Sequence, residues 1–211
     1  VSLYNETDGV AIPPTPVVGA VGLIEDLSKT ATLKGAQPGD VLVLVGETKG
    51  HLGASLYARE WLGLKGDELG APPPVDLVIE KRTADFLRVL VSKELANAIH
   101  DVSDGGIACA LCELALANGT GAKFTFQGDL KGLQELFSED HARYLVALSQ
   151  DNLNELDYLA TEAGASYLVF AEFGGDAIAG ILSDGTKIDV PLSHLRAAHE
   201  GWLPSYMNSV D

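Results

Sequence analysis

The sequence predicts an α/β domain, or an interleaved α+β one, built on a mixed sheet. Three observations carry this expectation. Strand-sized apolar runs such as DVLVLVG and RYLVALS alternate with stretches whose apolar residues recur at helical spacing. A hairpin signal, Asp184-Gly185, sits between two such runs near the end, so the sheet is not all-parallel. The 211 residues are 46% hydrophobic and only 21% charged, enough for a real core and unlike a disordered chain.

Taken in order, VVGAVGLI (17–24) reads as a strand, preceded by a polar run and a proline cluster. The turn Gln37-Pro38-Gly39 leads into a strand over 40–46, and LGASLYAREWLG reads as a helix over about 52–63. A Pro/Gly-rich loop follows. Residues 76–96 have helical spacing through Leu77, Phe86, Leu87, Leu90, Val91 and Leu95. ANAIHD is a short strand, 107–117 a helix and GAKFTF (121–126) a strand. DLKGLQELFSE is a helix, RYLVALS a strand, and NLNELDYLATEAG a helix stopped by Gly164. SYLVFAEFGG and the hairpin over 177–190 complete the strands, and 191–207 closes the chain as a helix.

Charge and length exclude several classes. The formal net charge is −16, from 14 basic and 30 acidic residues, and no basic cluster offers a duplex nucleic acid its counterion-displacing face. No apolar run reaches the roughly 18 residues of a membrane helix. No targeting peptide is visible. The chain opens at Val1, inside what reads as a strand, which leads us to expect part of a longer polypeptide. In so acidic a chain, a phosphate ligand would need backbone amides, hydroxyls and a bridging cation such as magnesium. Cys109 and Cys112 share one helical face within IACALCELALA and read as core cysteines of a reducing compartment, rather than a redox C-x-x-C.

Three stretches are candidate sites. HDVSDGG (100–106) stands between a strand and a helix. Ser103 or Asp104 would cap that helix. Equally, the Gly105 and Gly106 amides would form an anion site, with Asp101 on a cation. VSLYNETDG is densely polar for a strand, which a sheet edge would also explain. GETKGHLGASLY is a glycine-rich strand-to-helix turn that either binds phosphate or only starts a helix, and His51 within it has no partner visible in sequence. His141, His194 and His199 are scattered, the last two on a surface helix.

Five stretches, VSLYNET, IPPTPVVGAVGLI, GDVLVLVGETKGHLGASLY, HDVSDGGIACALCELALANGTGA and FSEDHARYLVAL, together resemble phosphoribosylformylglycinamidine synthase (formylglycinamide ribonucleotide amidotransferase). The resemblance is to about the last third of the large subunit of the multi-subunit type, and it covers essentially the whole chain. It implies the aminoimidazole ribonucleotide synthetase (PurM-like) superfamily. Residues 33–211 would be a C-terminal-type domain, and 1–32 the last strands of a preceding N-terminal-type, ATP-binding domain. It also implies a soluble, cytoplasmic ligase of purine biosynthesis. ATP phosphorylates the amide oxygen of formylglycinamide ribonucleotide, and ammonia from a glutaminase subunit displaces the phosphate. The implied cofactors are ATP and Mg2+, with ADP in an auxiliary site. The implied partners are the ribonucleotide, the glutaminase subunit and a small accessory subunit, with no nucleic acid and no membrane.

Residue by residue, the family motif Gly-Asn-x-Ser-Leu-Tyr-Asn-Glu maps its substrate-contacting serine onto Ser2, and its Gly and Asn have no counterpart in this sequence. Asp101 holds the place of a magnesium-binding aspartate of the subunit's first half. Ser103, Gly105 and Gly106 complete the possible ligand loop. Glu139, Asp140 and His141 mirror a substrate-contacting segment. The catalytic histidine and most ATP ligands belong to the first half, so no catalytic residue falls here and this chain alone would be inactive. Thiamine monophosphate kinase and selenophosphate synthetase share the D-x-S-D-G loop, but SLYNE argues against both. A non-catalytic half that holds nucleotide or scaffolds the enzyme is the other reading.

Overall fold

The computed structural model describes residues 5–12, 17–130 and 132–208. A small hairpin pairs β1 (Glu6–Thr7) with β2 (Val10–Ala11). The body is one seven-stranded sheet. Its strands are β3 (Val41–Val45), β4 (Ala98–Asp101), β5 (Ala122–Thr125), β6 (Tyr144–Leu148), β7 (Tyr167–Phe173), β8 (Ala177–Ile181) and β9 (Lys187–Pro191). They lie in the order β4-β6-β3-β7-β5-β8-β9. Only β5 and β8 are parallel, so the sheet is mixed, as the sequence predicts.

The helices are α1 (Leu77–Ser92), α2 (Gly106–Asn118), α3 (Leu133–Phe137), α4 (Leu153–Ala163) and α5 (Leu192–Asn208). They cover the sheet on both faces. Every residue of β3 is buried. Leu42 and Leu44 pack with Ile107, Leu111 and Leu114 of α2 on one face. Val41, Val43 and Val45 pack with Phe86, Leu90 and Leu156 of α1 and α4 on the other. Burial on two faces is why this strand reads as a continuous apolar run rather than an alternating one. Asp76 caps α1, accepting from the Val78 and Ile79 amides at 2.9 and 3.1 Å, and Gly164 ends α4 in the left-handed conformation.

Four expectations change. Residues 17–24 pair with no strand among the described residues, and Val17 and Val21 are 95% and 104% exposed. Strand composition without a partner ladder does not make a strand. The helix expected over 52–63 shrinks to a π-turn, Tyr57–Trp61. Ala54 has φ +55°, and its amide is held by Leu69 O at 2.7 Å, so helix cannot begin before residue 55. The helix expected through residue 96 stops at Ser92, where Glu94 turns left-handed (φ +57°). Among the described residues of the stretch 129–139, only Leu133–Phe137 are helical, and Leu130 O is taken by the Ser183 hydroxyl. Among the described residues, no helix is long and apolar enough to cross a membrane.

Candidate functional site

The topology brings three of the sequence stretches to one end of the sheet. Val45 and Asp101 both stand opposite Tyr144 in the β-ladders, one from each side of β6. The turn after β3, the loop after β4 and the segment before β6 must therefore meet. That last segment, residues 138–143, is SEDHAR. It is tied to both neighbours: the Glu139 amide donates to His51 O at 3.1 Å, and the Val102 amide to Arg143 O at 2.9 Å.

Asp140 closes the turn after β3. Its Oδ2 accepts the Lys49 and Gly50 amides at 2.8 and 2.9 Å, and its Oδ1 is bonded to His51 Nδ1. Nδ1 therefore carries the proton toward the carboxylate and Nε2 faces outward. Burial pushes the Asp140 carboxyl up, but His51, the two amides and nearby Arg143 outweigh it and hold it below the usual carboxylate range. Arg143 is 1% exposed. Its guanidinium donates to Asp140 O, Thr48 Oγ1, Ser138 Oγ and Ser138 O at 3.0, 2.9, 3.4 and 2.6 Å. None of these is a carboxylate, so burial dominates and pulls the guanidinium down to about 10 despite Asp140 and Glu139 nearby.

Glu139 does the same service for the loop after β4. One oxygen, Oε1, accepts the Leu56 and Gly105 amides, each at 2.8 Å. The Gly106 amide donates to Ser103 O at 3.0 Å. Here the expected cap is corrected. Neither Ser103 nor Asp104 gives its side chain to the α2 amides, and Gly105 is itself the N-cap residue, with φ +78°. A carboxylate 34 residues away instead holds the amide of the N-cap residue. The glycines are needed for packing: a Cβ at Gly106 would stand 2.5 Å from Leu136 O and Ser138 O.

Asp101 and Asp104 are left facing a cleft of about 350 Å3, which Ser103, Glu80, Glu139 and Arg143 also line. Asp101 has a side chain 59% exposed and a 3.2 Å contact with His100 Nδ1. His100 Nε2 is hydrogen-bonded to Glu113 Oε2 at 2.6 Å, joining β4 to α2 across 13 residues. No three His, Cys, Asp or Glu side chains among the described residues form a group able to hold a metal. Ser2 lies outside the described residues. Exposure of His194 and His199 agrees with their surface assignment. Cys109 and Cys112 are free and half-buried rather than fully in the core. Burial raises both thiols, Cys112 to about 11, which makes them poor nucleophiles.

A two-faced mixed sheet with three of its loops gathered at one end defines a mixed α/β domain, and comparison with known proteins makes this specific. Residues 37–173 match the family described as AIR synthase related protein, C-terminal domain, and the chain belongs to that family. It is 50% identical over 210 residues to the phosphoribosylformylglycinamidine synthase subunit PurL of Caulobacter vibrioides, covering 99% of this chain and 27% of that protein. Against the PurL of Parvibaculum lavamentivorans it is 44% identical over 207 residues, 98% of this chain and again 27% of the relative. The chain thus spans about a quarter of these relatives. Among solved structures, Thermotoga maritima PurL complexed with FGAR superimposes with a TM-score of 0.66 at 22% identity, covering 80% of this chain and 30% of that one. The same protein complexed with ATP gives 0.62 at 20%, covering 80% and 27%. A structure described as PurLQS gives 0.63 at 19%, covering 80% and 28%. These likenesses establish the fold.

Proposed function

We propose that the chain forms part of the large subunit of phosphoribosylformylglycinamidine synthase and serves purine biosynthesis. The observation that carries this reading is 50% identity over 99% of the chain to a PurL subunit. In the reaction, ATP phosphorylates the amide oxygen of formylglycinamide ribonucleotide, and ammonia delivered by a glutaminase subunit replaces the phosphate to give the amidine. The domain division at residues 32/33, the partners and the cytoplasmic setting belong to the same proposal.

Within this reading Ser2 contacts the ribonucleotide. Asp101 is the magnesium ligand, and Ser103 is the polar side chain beside it. The donor fits the ion: Asp101 is a hard oxygen ligand open to the cleft. Magnesium retains waters and nucleotide phosphates and needs only one or two protein carboxylates. When bound, the ion would neutralise phosphate charge. The chain's own contribution is to keep Asp101 at a rigid strand end. The Gly105 and Gly106 amides are hydrogen-bonded within the chain, which supports a reading in which side chains of this loop, rather than its amides, hold a ligand. That same self-sufficiency favours a second reading, in which this half holds nucleotide, such as ADP, as a scaffold without catalysing the step.

A chimera tests the proposal. The chain would replace the matching segment of the Caulobacter subunit, and amidine formation would be followed with ATP, magnesium and ammonia. Activity within about tenfold of the parent supports the reading. A folded chimera with no turnover overturns it. Turnover that survives Asp101→Asn, with loss only of nucleotide-dependent thermal stabilisation, selects the scaffold reading.

A further inference from the structure

A second cleft opens on the far side of the Asp140 turn, where the C-terminal end of β3, the N-terminal half of α1 and the turn after α4 meet. Its interior is about 70 Å3, room for a few waters or one small ion. Lys49, His51, Arg82 and Thr83 line it, together with Glu47, Asp76, Asp140, His141 and Ser166.

The cationic groups keep unused donors, whereas the carboxylates are committed. Asp140 is consumed by His51 and two amides. Asp76 caps α1. Glu47 accepts the Ser166 hydroxyl at 3.3 Å. By contrast, the Lys49 ammonium and His51 Nε2 have no partner among the described residues. Arg82 spends one nitrogen on Gly164 O at 3.2 Å. The arginines make this unusual. Arg59, Arg88 and Arg196 each pair with a carboxylate, and Arg143 is buried among oxygens. In a chain with 30 acidic residues against 14 basic ones, Arg82 is the one arginine that presents a guanidinium fork to solvent without a carboxylate partner among the described residues.

The decisive observation is Thr83. It is 4% exposed, and its hydroxyl has no hydrogen-bond partner among the described residues. Every side-chain polar atom wholly shut off from solvent is bonded, so the unpaired hydroxyl is the part of Thr83 that opens into the cleft it lines. On a side chain otherwise held in place by burial, that hydroxyl is a fixed donor open to a ligand in the cleft.

We propose that this cleft binds a small tetrahedral oxyanion of the phosphate class. Lys49 and the free edge of Arg82 supply charge, His51 supplies Nε2–H when protonated, and Thr83 donates its hydroxyl. Four oxygens pointing in different directions suit donors that approach from a strand-end turn, a helix face and a histidine. The site does not involve Asp101.

Titration of the 211-residue chain with inorganic phosphate, followed by calorimetry and phosphorus NMR, tests this. Saturable one-site binding is expected. Lys49→Gln and Arg82→Gln should each weaken it about tenfold. Arg82→Lys, which keeps the charge and reach toward Gly164 O, should lose less, and it controls for local unfolding. Thr83→Val should weaken binding severalfold and Thr83→Ser restore it, a pattern that loss of packing alone would not give. Asp101→Asn should have no effect. The proposal is overturned by absence of saturable binding, by binding that survives Lys49→Gln with Arg82→Gln together, or by binding lost in Asp101→Asn. Equal affinity for acetate would overturn the tetrahedral assignment.

Discussion

Two glycine-containing turns flank β6 at the same end of the sheet, residues 46–53 after β3 and 101–106 after β4, and both present backbone amides that attract an anion. The chain fills both with consecutive carboxylates of one segment, Asp140 in the first and Glu139 in the second. The difference lies in what remains. The first turn has both oxygens of its carboxylate engaged and a buried Arg143 beneath it. The second keeps Asp101 and Asp104 outside the amide network, facing a cleft. A glycine-rich turn thus signals a ligand only after the chain's own acids have been accounted for. Function is to be sought in the side chains left over.

The largest effect should come from the residue that both turns share. Arg143 links Thr48 of the first turn to Ser138 and Asp140 O of the segment that serves both. Arg143→Met keeps the bulk but leaves several buried acceptors unpaired, and it removes a cation near Asp140. We expect a loss of about 3–5 kcal/mol in urea unfolding, the cost of breaking a buried charged network. Arg143→Lys should recover little, because one ammonium cannot span the same acceptors. A loss below about 1 kcal/mol would show that the two turns are held independently.

Asp140→Asn should act on the first turn alone. It removes the charge from two amide bonds and the His51 bond, and should cost about 1.5–3 kcal/mol near neutral pH. The pH dependence gives a sharper test. The native carboxyl lies below its usual range. Its stabilisation is therefore complete above the unfolded value near 3.9 and is lost as pH falls through the lower native value. Unfolding free energies of the two proteins should converge on acidification below about pH 4. A gap that stays constant there would mean that the carboxylate charge contributes nothing.

Much of the sheet was legible because its strands are short apolar runs punctuated by turns, and their neighbours impose no contrary demand. The Asp184-Gly185 hairpin and the Gly164 stop are local signals, and both are found. What escaped the sequence is non-local. Glu139 reaches amides 83 and 34 residues away, and Asp140 reaches amides 91 and 90 residues away. Nothing in SEDHAR announces those partners. The overcalled helix at 52–63 failed for the same kind of reason: Gly53 lies so close to the loop at Ala71 that a Cβ would stand 2.1 Å from its carbonyl oxygen. Asp104 had the right local chemistry for a cap, yet it gives no side-chain bond to the α2 amides, and a distant acid holds the amide of the N-cap glycine.

That lost position yields the smallest expected effect and the one that best separates the two turns. Asp104 makes no hydrogen bond to the α2 amides. The Asp101 side chain is 59% exposed, and its contact with His100 is a long 3.2 Å. Asp104→Ala and Asp101→Asn should each change ligand-free stability by less than about 0.5 kcal/mol, as surface substitutions away from special features do. Glu139→Ala, in contrast, strips two amides of their acceptor and should cost about 1–3 kcal/mol. Thermal unfolding of the three variants, with and without magnesium-ADP, separates cap from ligand. If Asp101 holds the ion, only its variant loses the ligand-induced rise while keeping the ligand-free midpoint. A drop in the ligand-free midpoint for Asp104→Ala as large as that for Glu139→Ala would restore the local cap and remove the distinction between the turns.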